Sequence, residues 1–251
     1  MPQNPPGHPV FRLLNPDGAP SVLLVCDHAS NYIPPEDSCL GLPEAAFSRH
    51  IAYDIGAAEV TEILSRLLNC PAVLAGFSRL LIDPNRGEDD PTLVMKLSDG
   101  AIIPGNRHLD AQGVSRRKAR YYAPYHQAIA GRINAARARG LTPALLSIHS
   151  FTPVFQGRAR PWHIGVLWDR DDRIARPLLT SLTGDRSLCI GDNQPYSGEL
   201  TGDCMNRHGT SNGLPHVLIE LRQDLISDRA GAEHWAALLV RHLQPILKAI
   251  R

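Results

Sequence analysis

The stretch Val22-Leu-Leu-Val-Cys-Asp-His-Ala-Ser30 passes from β-favouring apolar residues to small polar ones, and Ala144-Leu-Leu-Ser-Ile-His-Ser150 repeats the passage. A short apolar run with polar ends reads as a strand buried on both faces. In an open α/β sheet the carboxyl ends of the strands face the binding crevice. His28 and His149 are therefore expected to meet there, around one metal or one substrate. A third run, Pro215-His-Val-Leu-Ile-Glu-Leu-Arg222, delivers Glu220 and Arg222 in the same manner.

Outward from these runs, strand and helix patterns alternate. A helix is expected from about Glu44 to Asn69, on the stripe Ile51, Ile55, Ala58, Leu64 and Leu68, with Asn69-Cys-Pro71 as its stop. Ala72 to Ala75 reads as a second strand. Residues 84–107 read as a long irregular stretch and a candidate lid. Helix is expected again from near Arg116 to about Arg139, with Tyr122, Tyr125, Ile129 and Ile133 inward and Gly140 as C-cap. A strand from Ile164 to Trp168, a helix from Asp172 to Leu182, an extended loop over 192–213 and a last helix from about Ala230 to Lys248 complete the pattern.

Parallel strands need crossover helices, so the alternation predicts one α/β domain over residues 1–251. Its sheet would be mostly parallel or mixed, with helices on both faces. Residues 1–20, rich in proline and glycine, read as a loosely ordered arm.

Composition narrows the partners. Lys and Arg number 26 against 25 Asp and Glu, a net charge of +1, which gives no reason to expect nucleic acid or a charged membrane surface. No segment approaches the ~20 apolar residues that a membrane span requires. The amino-terminal residues lack the pattern of a secretory signal, and the 5 cysteines have neither C-x-x-C spacing nor an even count. A cytoplasmic protein with reduced thiols and a small-molecule substrate is expected. The oligomeric state is not legible.

The chain lacks G-x-S-x-G, a P-loop, G-x-G-x-x-G and H-E-x-x-H. What remains is distributed. Catalytic zinc typically takes three protein ligands and keeps a fourth position open, and His28 and His149 fill two places. Asp54, in His50-Ile-Ala-Tyr-Asp-Ile-Gly56, is chosen as the third and expected within a helix, although helix capping or support of a histidine would also explain it. Asp27 is the weaker candidate, because strand alternation points it away from its neighbour His28. Glu220, at the end of an apolar strand, suits a proton acceptor and donor.

Ser78-Arg-Leu-Leu-Ile-Asp-Pro-Asn-Arg86 groups Arg79, Asp83, Asn85 and Arg86. Guanidinium groups there could clamp a carboxylate or stabilise an oxyanion, or the segment could be a surface ion-pair cluster. Tyr125 and His126, in Tyr121-Tyr-Ala-Pro-Tyr-His126, could reach the same crevice, although tyrosines at helical spacing also suit a core.

Six segments taken together resemble the N-formylglutamate amidohydrolase family: Cys26 to Pro34, His50 to Gly56, Ser78 to Arg86, Tyr122 to His126, Ser147 to Ser150 and Ile219 to Arg222. The resemblance implies a fold like that of the zinc-dependent exopeptidases and hydrolysis of N-formyl-L-glutamate to formate and glutamate, a step of histidine degradation. It makes His28 and His149 metal-site residues, with zinc or another divalent ion. It also places Arg79, Asn85 and Arg86 in the substrate pocket and makes Glu220 the catalytic carboxylate. The related H-x-x-E zinc motif is broken by Asn31, so the carboxylate ligand comes from elsewhere or the metal is held weakly. The resulting expectation has Glu220 and Arg79 catalytic, His28, Asp54 and His149 on the metal, and Arg79, Asn85, Arg86, Tyr125, His126 and Arg222 around the substrate. The alternatives are a deacylase of another N-acyl amino acid, of N-acetyl or N-succinyl type, and a non-catalytic amino-acid-binding protein on the same fold.

Overall fold

The computed structural model describes residues 8–250. Its first strand, β1 (Phe11–Leu14), falls in the segment expected to be a loose arm and pairs antiparallel with β3 (Ala72–Ala75). The arm's first seven residues lie outside the described ones. Between these two strands come β2 (Val22–Cys26) and helix α1 (Ala57–Leu67). The helix expected from Glu44 is thus shorter. Glu44–Ser48 forms only a 3₁₀ turn, and Gly56, at φ +81°, starts the α-helix after Asp54 rather than before it.

The stretch expected to be an irregular lid contains the hairpin β4 (Leu97–Ser98) and β5 (Ala101–Ile102), followed by the short helix α2 (Pro104–Arg107). Asn106 is buried there and donates to the carbonyls of Leu80 and Met95, which ties the segment to the protein body. The helix expected from Arg116 is divided into α3 (Ala111–Arg117) and α4 (Ala123–Arg137) by a π turn over Lys118–Tyr122. Pro124, in the first turn of α4, has no N–H to continue the regular ladder.

Strand β6 (Ala144–Phe151) is followed by the small hairpin β7 (Val154–Phe155) and β8 (Arg158–Ala159), then β9 (Ile164–Leu167), α5 (Ala175–Leu182) and β10 (Ile190–Asp192). The expected loop over 192–213 contains α6 (Cys204–His208). Strand β11 (His216–Arg222) and helix α7 (Arg229–Ala249) end the fold.

Seven strands form one mixed sheet in the order β1-β3-β2-β6-β11-β9-β10. The four strands from β3 to β11 are parallel, whereas β9 runs antiparallel to β11. Both faces are covered. Val22, Leu24 and Cys26 pack with α1 and α7 on one side, and Leu23 and Val25 pack with α4 on the other. In β6 and β11 the same alternation sends Ala144, Leu146, Ile148, Val217, Ile219 and Leu221 to the first face. Ser147, His149 and Glu220 therefore fall on the α4 face, at the carboxyl ends of parallel strands.

Candidate active site

His149 and Glu220 are directly opposite each other in the β6–β11 ladder, so their side chains leave the sheet side by side. His28 lies just beyond β2, where strand alternation no longer fixes its direction. The chain returns to it from below α1: the Asp54 amide donates to the His28 carbonyl at 3.0 Å. Asp54 Oδ2 then lies 3.2 Å from His28 Nδ1 and 2.8 Å from His149 Nδ1. All three side chains are buried, and their ligand-type atoms lie within 4.8 Å of one another.

The far nitrogen of each ring is also fixed. His28 Nε2 meets Asp83 Oδ1 at 2.8 Å, and His149 Nε2 meets Asp27 Oδ2 at 3.0 Å. A carboxylate behind a metal-binding imidazole sets its tautomer and ring angle, and here both rings have one. Their Nδ1 atoms are left aimed at a common point beside Asp54. Asp27 thus holds a ligand from behind. Leu23, Val25 and Asp27 continue one face of β2, the face that carries His149. Ser147 Oγ and Tyr125 Oη also donate to Asp27, each at 3.0 Å.

Electrostatics follow from this packing. Burial alone would depress His149, yet hydrogen bonds to Asp27 and Asp54 raise it well above the ordinary histidine range. His28 is raised by Asp83 and Asp54 against burial and the nearby Arg79 charge. The carboxyls of Asp27, Asp54 and Asp83 are held below their usual range, because the histidines and Arg79 outweigh their burial. Glu220 behaves oppositely to these three, as does nearby Asp203: burial pushes each up to about 7, and Glu220 Oε2 has no hydrogen-bond partner. A group poised near neutrality with a free oxygen can both take and give a proton.

Two histidine nitrogens and one carboxylate, each with its outer contacts in place, match a three-ligand zinc site with an open position, so the residues fit the ion. They line a cavity of about 370 Å³ together with Glu220, Arg79, Asn85 and Arg86. Arg79 donates to Asp83 at 2.8 Å and lies 3.5 Å from Asp54, which commits much of its charge. The Asn85 carbonyl oxygen caps the Cys204 amide of α6 at 3.1 Å. Arg86 is less committed, with Nε 3.8 Å from Asp83 and without a hydrogen bond.

Three expected pocket residues are elsewhere. Tyr125 is buried behind Asp27, and His126 pairs with His208. Arg222 is drawn away from the cavity by its hydrogen bonds to the Asp224 carboxylate and the Pro161 carbonyl. A further part of the lining, which sequence reading missed, comes from Tyr196, Ser197, Glu199 and Asp203. Only Asp203 left a signal, as an acidic residue ahead of a short helix whose Asn206 amide it caps at 2.7 Å.

No curated protein matches the chain. Among solved structures it is similar to gene product Atu2144 of Agrobacterium tumefaciens, with 35% identity, 96% of each chain covered and a TM-score of 0.92. It also shares its fold with an N-formylglutamate amidohydrolase from Ralstonia eutropha JMP134, with 22% identity, 96% of each chain covered and a TM-score of 0.66. The family model for N-formylglutamate amidohydrolase matches residues 20–227, which span every residue that lines the cavity and every strand of the main sheet except the edge strand β1. The chain therefore belongs to the N-formylglutamate amidohydrolase family and is an amide-cleaving hydrolase.

Proposed function

We propose that the protein is a metal-dependent amidohydrolase that cleaves small N-acylated acidic amino acids, with N-formyl-L-glutamate as substrate and formate and L-glutamate as products. One observation carries this reading: His28 Nδ1, His149 Nδ1 and Asp54 converge in a cavity that also holds an unpartnered Glu220. Zinc, or another divalent ion, held by those three residues would supply Lewis-acid charge at the carbonyl and at water.

The chain's own residues carry the proton and the substrate. Glu220, ionised, accepts a proton from water as its oxygen bonds to the formyl carbon. It then returns that proton to the amide nitrogen as the C–N bond breaks. One water is consumed for each formate and amino acid released. Arg79, held by Asp83 and Asp54, presents a fixed positive charge to the developing oxyanion. Arg86 receives a substrate carboxylate, for which its uncommitted Nε is suited, and Asn85 lines the same wall.

A second reading, a deacylase of another N-acyl amino acid, is favoured by the commitment of Arg79 and the outward turn of Arg222. These leave Arg86 as the least committed guanidinium in the cavity, which the acidic Glu199 and Asp203 also line. A panel of formyl, acetyl and succinyl derivatives of glutamate and of neutral amino acids, assayed with and without chelator, tests both. Zinc-restored turnover of formylglutamate supports the first reading. Preference for a monocarboxylate supports the second, and binding without turnover of any derivative would overturn both. Among the described residues no helix is long and apolar enough to cross a membrane. The unpaired cysteines suit a reducing, cytoplasmic setting.

A further inference from the structure

His126, expected in the substrate pocket, instead forms a separate buried cluster. Cys204 and His208 are four residues apart on α6, so their side chains lie on one face of that helix, and His126 meets them from α4. The three are 0–4% exposed, and one ligand atom of each lies within 4.8 Å of the others. His126 Nδ1 and His208 Nε2 are 2.9 Å apart, with the rings nearly stacked. Neither ring bonds a carboxylate among the described residues, in contrast to both active-site histidines.

The facing nitrogens share one proton as a single N–H···N hydrogen bond, and the same two nitrogens, with the Cys204 sulfur beside them, are also placed to converge on a cation. Burial, aided by Arg207 and, for His126, by the His208 ring, holds His126 down at about 3 and His208 at about 4, so both are neutral, the form that binds metal. Burial first, and Asp27 next, push the Cys204 thiol up, so binding must expel its proton.

We propose that His126, Cys204 and His208 form a second metal site, distinct from the catalytic one, for a borderline-soft transition ion, zinc or copper(I), held by two imidazole nitrogens and a thiolate. Binding forms the metal–sulfur bond, breaks the S–H bond and releases one proton to solvent, with no change in oxidation state. The softer N₂S donor set differs from the N₂O set at His28, Asp54 and His149, so the two sites rank metals differently. Its role would be structural. The ion would pin α6, which follows Asp203 on the cavity wall and is capped by Asn85, to α4.

Cobalt(II) and zinc titrations of the full chain test this. The wild-type protein is expected to bind two zinc equivalents and, with cobalt, to show a thiolate-to-cobalt charge-transfer band. The band and one zinc equivalent should persist in the double variant His28→Ala, His149→Ala, and both should be lost from that protein when Cys204→Ser is added. Copper(I) competition against a chromophoric chelator separates the two ions: retention of copper alone assigns the site to copper(I), and retention of zinc assigns it to zinc. Absence of the band from the wild-type protein, together with no copper(I) retained, would overturn the proposal whatever the variants do. A band that survives Cys204→Ser would do the same, since it would come from another thiol. These readouts do not involve turnover, so failure here leaves the proposed hydrolytic function separately testable.

Discussion

Glu220→Gln should make the protein inactive and, at the same time, more stable. Glu220 is 6% exposed, and its Oε2 has no partner, so ionising it in the fold is unfavourable. The ordinary glutamate value is 4.5 and the folded value about 7. Below 4.5 the group is protonated both folded and unfolded, and no penalty exists. Between 4.5 and about 7 the unfolded chain loses the proton while the fold keeps it, so stability declines as pH rises. Above about 7 the penalty is complete. At ~1.4 kcal/mol per pH unit it amounts to roughly 3 kcal/mol, of which relaxation around the ion should leave about 1–3 kcal/mol measurable.

Glutamine has nearly the same shape and no charge, so it escapes the penalty. Urea unfolding at pH 8, with chelator present throughout, should show the variant about 1–3 kcal/mol more stable than wild type. The difference should vanish near pH 4.5, while turnover falls by about 10²- to 10⁴-fold. Equal or lower stability of the variant at pH 8 would refute the claim that this carboxyl is held in an apolar, unpaired setting. So would a gain that is independent of pH.

Asp83→Asn removes the carboxylate behind His28 and should weaken zinc binding by about 10- to 100-fold in chelator competition; unchanged affinity would refute its orienting role. Arg86→Ala should raise KM for acidic substrates with little change in kcat. Arg79→Ala should instead destabilise the protein by about 3 kcal/mol in urea, because two buried carboxylates lose their counter-charge. Equal kinetic and stability effects of the two arginine variants would count against that division. Gly56→Ala demands φ +81° of an alanine and drives its Cβ to 2.2 Å from the Ile226 carbonyl oxygen. Calorimetry should register a loss of roughly 2 kcal/mol or more, with metal affinity falling as Asp54 is displaced.

Much of the fold was legible because its strands are buried on both faces. Such runs are apolar throughout and end abruptly in polar residues, which is why His28, His149 and Glu220 could be placed together from the sequence. The helix boundaries were less accessible. The apolar stripe from Ile51 suggested a continuous helix, but Gly56 in the left-handed region delays the start and leaves Asp54 on the turn before it. Strand alternation was expected to turn Asp27 away from His28 and the metal group; instead Asp27 follows the face that carries His149, and His28, past the end of the strand, turns to the same site. Tyr125, His126 and Arg222 are polar residues near the right elements, and only packing decides that they turn toward Asp27, His208 and Asp224. The wall formed by Tyr196, Ser197 and Glu199 has no periodicity to read. It is set by tertiary contacts of a loop.

In the proposed enzyme two imidazoles and one carboxylate from distant segments hold a single catalytic cation. Anomalous diffraction at the zinc edge, on crystals of zinc-loaded protein that turns over formylglutamate, measures this directly. The expected result is a peak bounded by Nδ1 of His28, Nδ1 of His149 and the Asp54 carboxylate. An active protein with no anomalous density between those three side chains would contradict it.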